Sequence, residues 1–208
     1  MTAPSRLFLL SPAATSGVRA AMLLREGARF DLAVRLRERG APLGEVFAFL
    51  SGLYFRGKLA YARRFAPESS YVITSCAGLL APEQVVRHGD LRRFARVPIA
   101  ADEPRYRRPL ARDARRLRES IAGDAPVVLL GSIATEKYCG VLLEVFGPRL
   151  SFPANFVGRG DMSRGGLLLR AARSGEELPY VPVAEAARHG PRPAKLDPRT
   201  RVREPERG

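Results

Sequence analysis

The chain has 208 residues, 46% of them hydrophobic, which is enough for one substantial core or two small ones. Its 35 basic residues outnumber its 21 acidic residues, giving a formal charge of +14. Two cysteines and two histidines without ligand spacing exclude a zinc cluster, so we expect no metal, no cofactor and a reducing, cytoplasmic setting.

The positive charge favours a polyanionic partner, because counterion release drives binding to charged polymers. Nucleic acid is the first candidate and an anionic membrane surface the second. The only lysines are Lys58, Lys137 and Lys195, so nearly all of the charge is arginine. A GC-rich coding sequence is therefore an alternative source of part of the excess.

The first predicted element is a buried strand over residues 7–10, which Ser11 and Pro12 end. This apolar run is too short for a signal peptide or a membrane span, so we expect neither. Helices are predicted over residues 17–27 and 30–40. The second also shows strand-like alternation, so a strand is the alternative there.

Residues 42–65 have apolar side chains at helical spacing, with breaks or bends predicted at Gly52 and Gly57. A buried strand follows at residues 71–74, where β-branched and aromatic residues cluster. The segment SCAGLLAP after it is predicted to be a loop.

Residues 90–120 are rich in arginine, and their apolar positions indicate an amphipathic helix with a basic outer face. Candidate phosphate contacts here and in the preceding helix are Arg63, Arg64, Arg92, Arg93, Arg107, Arg108, Arg115 and Arg116. At most half can line one groove, since adjacent residues do not share a helix face. Tyr54, Tyr61 and Tyr138 have the chemistry to stack on bases, but core packing is the favoured interpretation.

Strands are also predicted at residues 126–130 and 150–153, separated by a helix that Gly147 and Pro148 end. This alternation predicts an α/β fold, a single-domain open mixed sheet flanked by helices. The polar loops after the first, second and third main strands should converge on one cleft, because open α/β sheets bind ligands beyond the carboxyl ends of their strands.

Residues 156–170, FVGRGDMSRGGLLLR, place charge in a glycine-rich segment before an apolar run. Asp161 or Ser163 could cap a helix there, with Arg159 and Arg164 beside its N-terminus, where anions are favoured. An anion site is the functional interpretation, and a turn into a core helix with surface arginines is the other.

We expect the α/β domain to occupy residues 1–183. Residues 184–208 lose hydrophobic pattern and gain proline, which predicts a disordered tail. The tail holds only a small part of the charge, so the basic surplus belongs to the folded body.

Groups with catalytic chemistry are sparse. Candidates in the strand-end loops are Ser75, Glu136, Lys137 and Asp161, which supply a hydroxyl, acids and a base. Glu136 would equally suit an ordinary helix start. Cys76 is interpreted as a small buried residue rather than a nucleophile.

Several of these segments, in this order, resemble the YaaA-like (DUF328) peroxide-stress proteins. The segments are LFLLSPA, AFLSGLYFRGKLAYARRF with ITSCAGLLAP, VLLGSIATEKYCGVL, and Arg159 to Arg164, which is similar to the arginine-glycine-x-methionine-serine-arginine signature of the family. The order and spacing agree over roughly residues 6–183.

The resemblance implies a positively charged cleft that binds DNA and a role in limiting DNA damage under oxidative stress, with residues 17–40 in the place of a helix-hairpin-helix element. Predicted nucleic-acid or anion contacts are Ser11, Lys58, Gly78, Tyr138, Arg159, Ser163 and Arg164. The alternative is an enzyme that acts on a nucleotide or nucleobase in the same cleft. We expect no membrane partner, and the sequence gives no indication of a protein partner.

Overall fold

The computed structural model of the protein describes residues 6–194 and 196. Its helices are α1 Val18–Leu24, α2 Asp31–Glu38, α3 Leu43–Ser51, α4 Leu53–Phe65, α5 His88–Ala95, α6 Pro104–Ser120, α7 Glu136–Phe146 and α8 Asp161–Ser174. Its strands are β1 Leu7–Leu10, β2 Ala41–Pro42, β3 Ser70–Ile73, β4 Leu79–Leu80, β5 Val85–Val86, β6 Val127–Leu130, β7 Leu150–Pro153 and β8 Tyr180–Pro182.

The main sheet has six strands in the order β4-β3-β1-β6-β7-β8. The four inner strands are parallel, and β4 and β8 pair antiparallel at the two edges. All residues of β1 and β6 are buried, as expected for central strands covered on both faces. The predicted open mixed α/β sheet is confirmed.

The connections after β1 and β6 lead toward opposite ends of the strand order. From β1 it passes through α1–α4 to β3 on one side, and from β6 it passes through α7 to β7 on the other. Because β1 and β6 are neighbours, their carboxyl ends at Leu10 and Leu130 border the switch point of the sheet. This is the position where open α/β sheets form a crevice.

The helices pack in two layers, with α4 against α8 and α6 against α7. Since parallel crossovers are right-handed, the two pairs cover opposite faces of the sheet. α4 and α8 approach very closely at two glycines. A Cβ on Gly57 would lie 2.6 Å from the Gly165 carbonyl oxygen, and one on Gly165 would lie 2.7 Å from the Leu53 carbonyl oxygen. The glycines therefore set how deeply α8 sits on α4.

Several predicted elements need correction. Residues 31–38 are helical, so the strand alternative for this segment is wrong. Gly52 separates α3 from α4 at a φ of 60°, as expected. Gly57 does not break α4, which continues from Leu53 to Phe65, and it serves the contact with α8. The loop predicted for SCAGLLAP contains β4, which completes its hydrogen bonding on the edge of β3.

The arginine-rich segment forms two helices, α5 and α6, instead of one. Leu110 and Ala114 lie on the buried side of α6, which confirms the predicted apolar face. The apolar periodicity alone did not reveal α5, the two-stranded β2–β5 sheet or β8. No helix in the described part of the chain is both long and apolar enough to cross a bilayer.

The predicted disordered tail lies largely outside the described residues, which end at residue 194 apart from residue 196. Its described part makes several contacts with the domain. Arg188 forms an ion pair with Glu136, and the Ala194 carbonyl accepts a hydrogen bond from Arg159. The disorder of residues 184–208 remains a prediction.

Candidate functional site

The switch point of the sheet holds a buried polar cluster, the switch-point site, made of Ser11, Tyr54, Lys58, Tyr138 and Arg164. Ser11 directly follows β1 and is 4% exposed, and Lys58 on α4 is completely buried. The Lys58 Nζ donates to the Ser11 carbonyl at 2.7 Å and lies 2.9 Å from the Ser11 Oγ. The lysine thus joins α4 to the end of the central strand.

Lys58 has no carboxylate within hydrogen-bonding distance in the described part of the chain. Burial lowers the pKa of its ammonium to about 7, Asp161 raises it in part, and Arg164 lowers it further. The amine also lies 4.3 Å from the centre of the Tyr54 ring and 4.8 Å from that of Phe55. Near neutral pH the protonated and the neutral form of this amine are therefore both populated.

Tyr138, in the first turn of α7, lies beside the same serine. Its hydroxyl accepts a hydrogen bond from the Ser132 N–H at 3.1 Å. Burial raises its pKa, while the neighbouring Ser11 hydroxyl and Arg164 lower it. Gly131 allows this approach, because a Cβ there would lie 2.7 Å from the Ser11 Cβ and 3.2 Å from the Tyr138 ring.

Arg164 closes the cluster from α8. Its side chain is only 13% exposed, and it donates to the Phe156 carbonyl at 3.3 Å and to Asp161 at 3.4 Å. The Tyr54 hydroxyl is buried near this guanidinium and makes no hydrogen bond. Arg164 therefore provides fixed positive charge from inside the fold.

The N-terminus of α8 differs from the prediction. Gly160 is the N-cap residue, and no side chain caps the helix. The predicted cap at Asp161 or Ser163 is wrong, because both residues already lie within the first turn. Ser163 instead accepts a hydrogen bond from Arg159, which also donates to the Asn155 carbonyl. Arg159 is thus held by neutral acceptors.

The predicted convergence of three strand-end loops holds for two of them. The loops after β1 and β6 meet at the switch-point site, next to α8. The loop after β3 lies against α5 and α6: Ser75 donates to the Phe94 carbonyl, and a Cβ on Gly78 would lie 2.0 Å from an Asp113 oxygen. Ser75 and Gly78 therefore contact α5 and α6, and no hydrogen bond or ion pair among the described residues joins either of them to the switch-point site.

The predicted acid–base pair at the start of α7 points to solvent. Glu136 and Lys137 are both exposed, and Glu136 forms its ion pair with Arg188. Cys76 is half-buried, which corrects the expectation of a buried residue. The three tyrosines that could stack on bases are buried, with Tyr61 hydrogen-bonded to Tyr180, so their core interpretation is confirmed.

Seven arginines lie together on the outer surface of α5, α6 and the turn after α5, here called the arginine face. It consists of Arg93, Arg96, Arg105, Arg107, Arg108, Arg112 and Arg115. A hollow of about 740 Å³ is lined by Cys76, Val97 and four of these arginines. A second hollow, of about 380 Å³, is lined by the other three, with Asp102 and Ala111.

Acidic side chains neutralise only part of the arginine face. Ion pairs join Arg93 to Asp90, Arg105 to Glu103, Arg107 to Glu144 and Arg112 to Asp113, at 2.6–2.8 Å. Arg96, Arg108 and Arg115 are exposed and have no hydrogen-bonding or ionic partner among the described residues. These three guanidinium groups remain available to an external anion.

Sequence reasoning named some members of each region and missed others. Arg96, Arg105 and Arg112 were absent from the phosphate-contact candidates, although Arg105, Arg108, Arg112 and Arg115 recur at the spacing of three or four residues that marks one side of a helix. Nothing in the sequence indicated that Tyr54 would join the switch-point site, since that depends on how α4 and α8 pack.

The described residues contain no group of three or more histidine, cysteine, aspartate or glutamate side chains that could hold a metal ion. Comparisons with protein-family models, with curated proteins and with solved structures found no match to this chain.

Proposed function

We propose that the protein binds nucleic acid, DNA foremost, through the arginine face. The observation that carries the proposal is the presence of three exposed, unpartnered arginines along two hollows of one helical surface. Arginine suits this role because its planar guanidinium donates two parallel hydrogen bonds to a phosphate. Each phosphate that it neutralises releases condensed counterions.

The dimensions of the face fit a polymer better than a single small anion. The 17 residues of α6 extend about 25 Å, which corresponds to about seven base steps at 3.4 Å. The hollows use adjacent stripes of the helix, one with Arg105 and Arg112, the other with Arg108 and Arg115. A backbone following α6 would meet several cations in succession.

The arginine face has no large, exposed hydrophobic side chain among the described residues, which argues against a membrane as the anionic partner. The large hydrophobic residues that are exposed in the described part of the chain are Val18, Met22, Phe30, Val85 and Met162. All of them lie outside α5 and α6. Membrane-surface binding combines basic residues with inserted apolar ones, so this face suits phosphates in water.

The test is binding of the full chain to duplex and single-stranded DNA over a salt series. Wild-type affinity should fall steeply as salt rises, and the variant Arg96→Gln/Arg108→Gln/Arg115→Gln should bind at least about tenfold more weakly at low salt. The matched control Arg25→Gln/Arg39→Gln/Arg173→Gln removes the same charge from exposed arginines elsewhere. Salt-independent affinity, or equal losses in both variants, would contradict the proposal.

A second candidate is an enzyme acting on a nucleotide or nucleobase at the switch-point site. It is favoured by the contact between Lys58 and Ser11 at the carboxyl end of β1. A thermal-shift screen against nucleotides and free bases would test it, since a ligand that binds the folded chain raises the melting temperature. If no such compound stabilises the protein, this candidate fails.

The relation to the YaaA-like proteins, the role in limiting DNA damage and the cytoplasmic location remain predictions from the sequence. They would give the proposed nucleic-acid binding a physiological role. The arginine-face experiment does not depend on them, because it measures phosphate binding directly.

A further inference from the structure

A serine hydroxyl and a lysine amine in direct contact at a switch point form a recognisable chemical pair. The Ser11 Oγ and the Lys58 Nζ are 2.9 Å apart, within the range for proton transfer between a nucleophile and its base. Serine–lysine pairs are one of the known variants of the catalytic triad. We propose that Ser11 is a nucleophile with Lys58 as its general base, and that the switch-point site cleaves activated carboxylic esters.

The hydrogen-bonding pattern orients the pair. The Ser11 carbonyl accepts a hydrogen bond from Lys58 at 2.7 Å, which fixes the amine beside the hydroxyl. A neutral amine has two N–H groups and one lone pair, so it can donate to the carbonyl and still accept the hydroxyl proton. Burial keeps the pKa of Lys58 at about 7, where the neutral form is abundant at physiological pH.

The surroundings fit the charge that such a reaction develops. Arg164 lies close enough to lower the pKa of both Lys58 and Tyr138, so it also favours an oxyanion at this position. Gly131 lets the end of β6 pack directly against Ser11, since a Cβ there would lie 2.7 Å from the Ser11 Cβ. Ser132, which donates its N–H to Tyr138, is half-buried, and Asp161, the partner of Arg164, is exposed.

The reaction would proceed in two balanced halves. The Ser11 Oγ bonds to the acyl carbon while its proton passes to the Lys58 Nζ, and the carbonyl electron pair moves to oxygen. Collapse of this intermediate breaks the bond to the leaving alkoxide, which takes the proton from Lys58. Water then repeats the sequence on the acyl-serine, releasing the carboxylic acid and restoring the hydroxyl.

The experiment exposes the full chain to p-nitrophenyl acetate and follows p-nitrophenolate release, intact mass and peptide mapping. One acetyl group per chain on Ser11 is expected, with an initial burst whose rate rises with pH to a plateau above about 7. Ser11→Ala should remove the adduct, and Lys58→Met should slow acylation by at least about 100-fold. Ser70→Ala, another buried serine on a neighbouring strand, should react like the wild type.

Absence of an adduct on Ser11 in the folded wild-type protein would overturn the proposal. So would acylation of Lys58→Met at the wild-type rate, or an adduct confined to Cys76 or Cys139. If Lys58→Met fails to fold, the pH profile of the wild-type acylation decides, since a rate independent of pH between 6 and 8 excludes a base that titrates there. The variant Arg96→Gln/Arg108→Gln/Arg115→Gln should keep full acylation, which separates this inference from the proposed nucleic-acid binding.

Discussion

The switch-point site and the arginine face both carry positive charge, but the charge is buried in the first and exposed to solvent in the second. Lys58 is fully buried, bonded to neutral oxygens of one serine, and has a lowered pKa. The arginines of the arginine face are largely exposed to solvent, and several form ion pairs with carboxylates. A buried lysine can lose its proton, whereas an exposed arginine stays charged. The comparison separates a place for proton transfer from a place for polyanion binding.

The largest expected effect concerns the pH dependence of stability. The folded-state pKa of Lys58 is about 7, below the value of about 10.4 in an unfolded chain. Between these values the unfolded chain binds a proton that the folded chain does not, so the free energy of unfolding rises with pH. Relative to Lys58→Met, the wild type should gain about 2–3 kcal/mol between pH 7.5 and 9.5.

Urea unfolding of both proteins at several pH values measures this difference, and contributions from other groups cancel in the comparison. Arg56→Gln, on an exposed position of the same helix, is the matched control and should show the wild-type pH dependence. A constant difference between wild type and Lys58→Met would mean that the lysine stays charged in the fold, and the contrast with the arginine face would disappear.

The next effect tests how tightly the switch-point site is packed. Alanine normally stabilises a helix relative to glycine by about 1 kcal/mol. At Gly165 the added Cβ would meet the Leu53 carbonyl oxygen at 2.7 Å, so Gly165→Ala should instead lower the free energy of unfolding by about 1–3 kcal/mol. Because α8 carries Arg164, the same variant should also slow acylation of Ser11.

Gly89→Ala provides the contrast on α5. Nothing lies within 4 Å of a Cβ at that position, so the variant should be as stable as the wild type or slightly more stable. Chemical unfolding of the two variants compares the close helix contact with the open arginine face. Equal stability of Gly165→Ala and Gly89→Ala would show that the α4–α8 contact is loose.

The smallest effect concerns the ion pair between Arg107 and Glu144, which links α6 to α7 with N–O distances of 2.6 Å. Both side chains are substantially exposed, so Glu144→Gln should cost about 0–1 kcal/mol of stability. It should also tighten DNA binding slightly, because it frees Arg107 on the arginine face. Glu83→Gln makes the same charge change beside Arg63, away from this face, and should tighten binding less.

The sequence carried enough information for the central strands and for most helices. Continuous apolar runs predicted β1 and β6, and the glycine after Phe146 predicted the end of α7. β4 and β8 were missed because short edge strands depend on a partner strand rather than on their own pattern. A break or bend was predicted at Gly57, and the helix is not broken there; the glycine instead contacts Gly165, which lies 108 positions later in the chain.

The candidate site was predictable as a set of residues but not as a geometry. Ser11, Lys58, Tyr138 and Arg164 were all named from their positions near strand ends or glycines. The contact between Lys58 and Ser11 spans 47 positions and exists only because α4 packs on β1. The inward direction of Arg164 likewise follows from the packing of α8, and this is why exposure could not be read from residue type.

The most direct test of the contrast is the salt dependence of DNA binding in three proteins: wild type, Lys58→Met and Arg96→Gln/Arg108→Gln/Arg115→Gln. Each phosphate contact contributes about 0.9 to the slope of log affinity against log salt concentration. The triple arginine variant should flatten the slope by about 2–3, and Lys58→Met should keep the wild-type slope. A flattened slope for Lys58→Met together with an unchanged slope for the arginine variant would contradict the account.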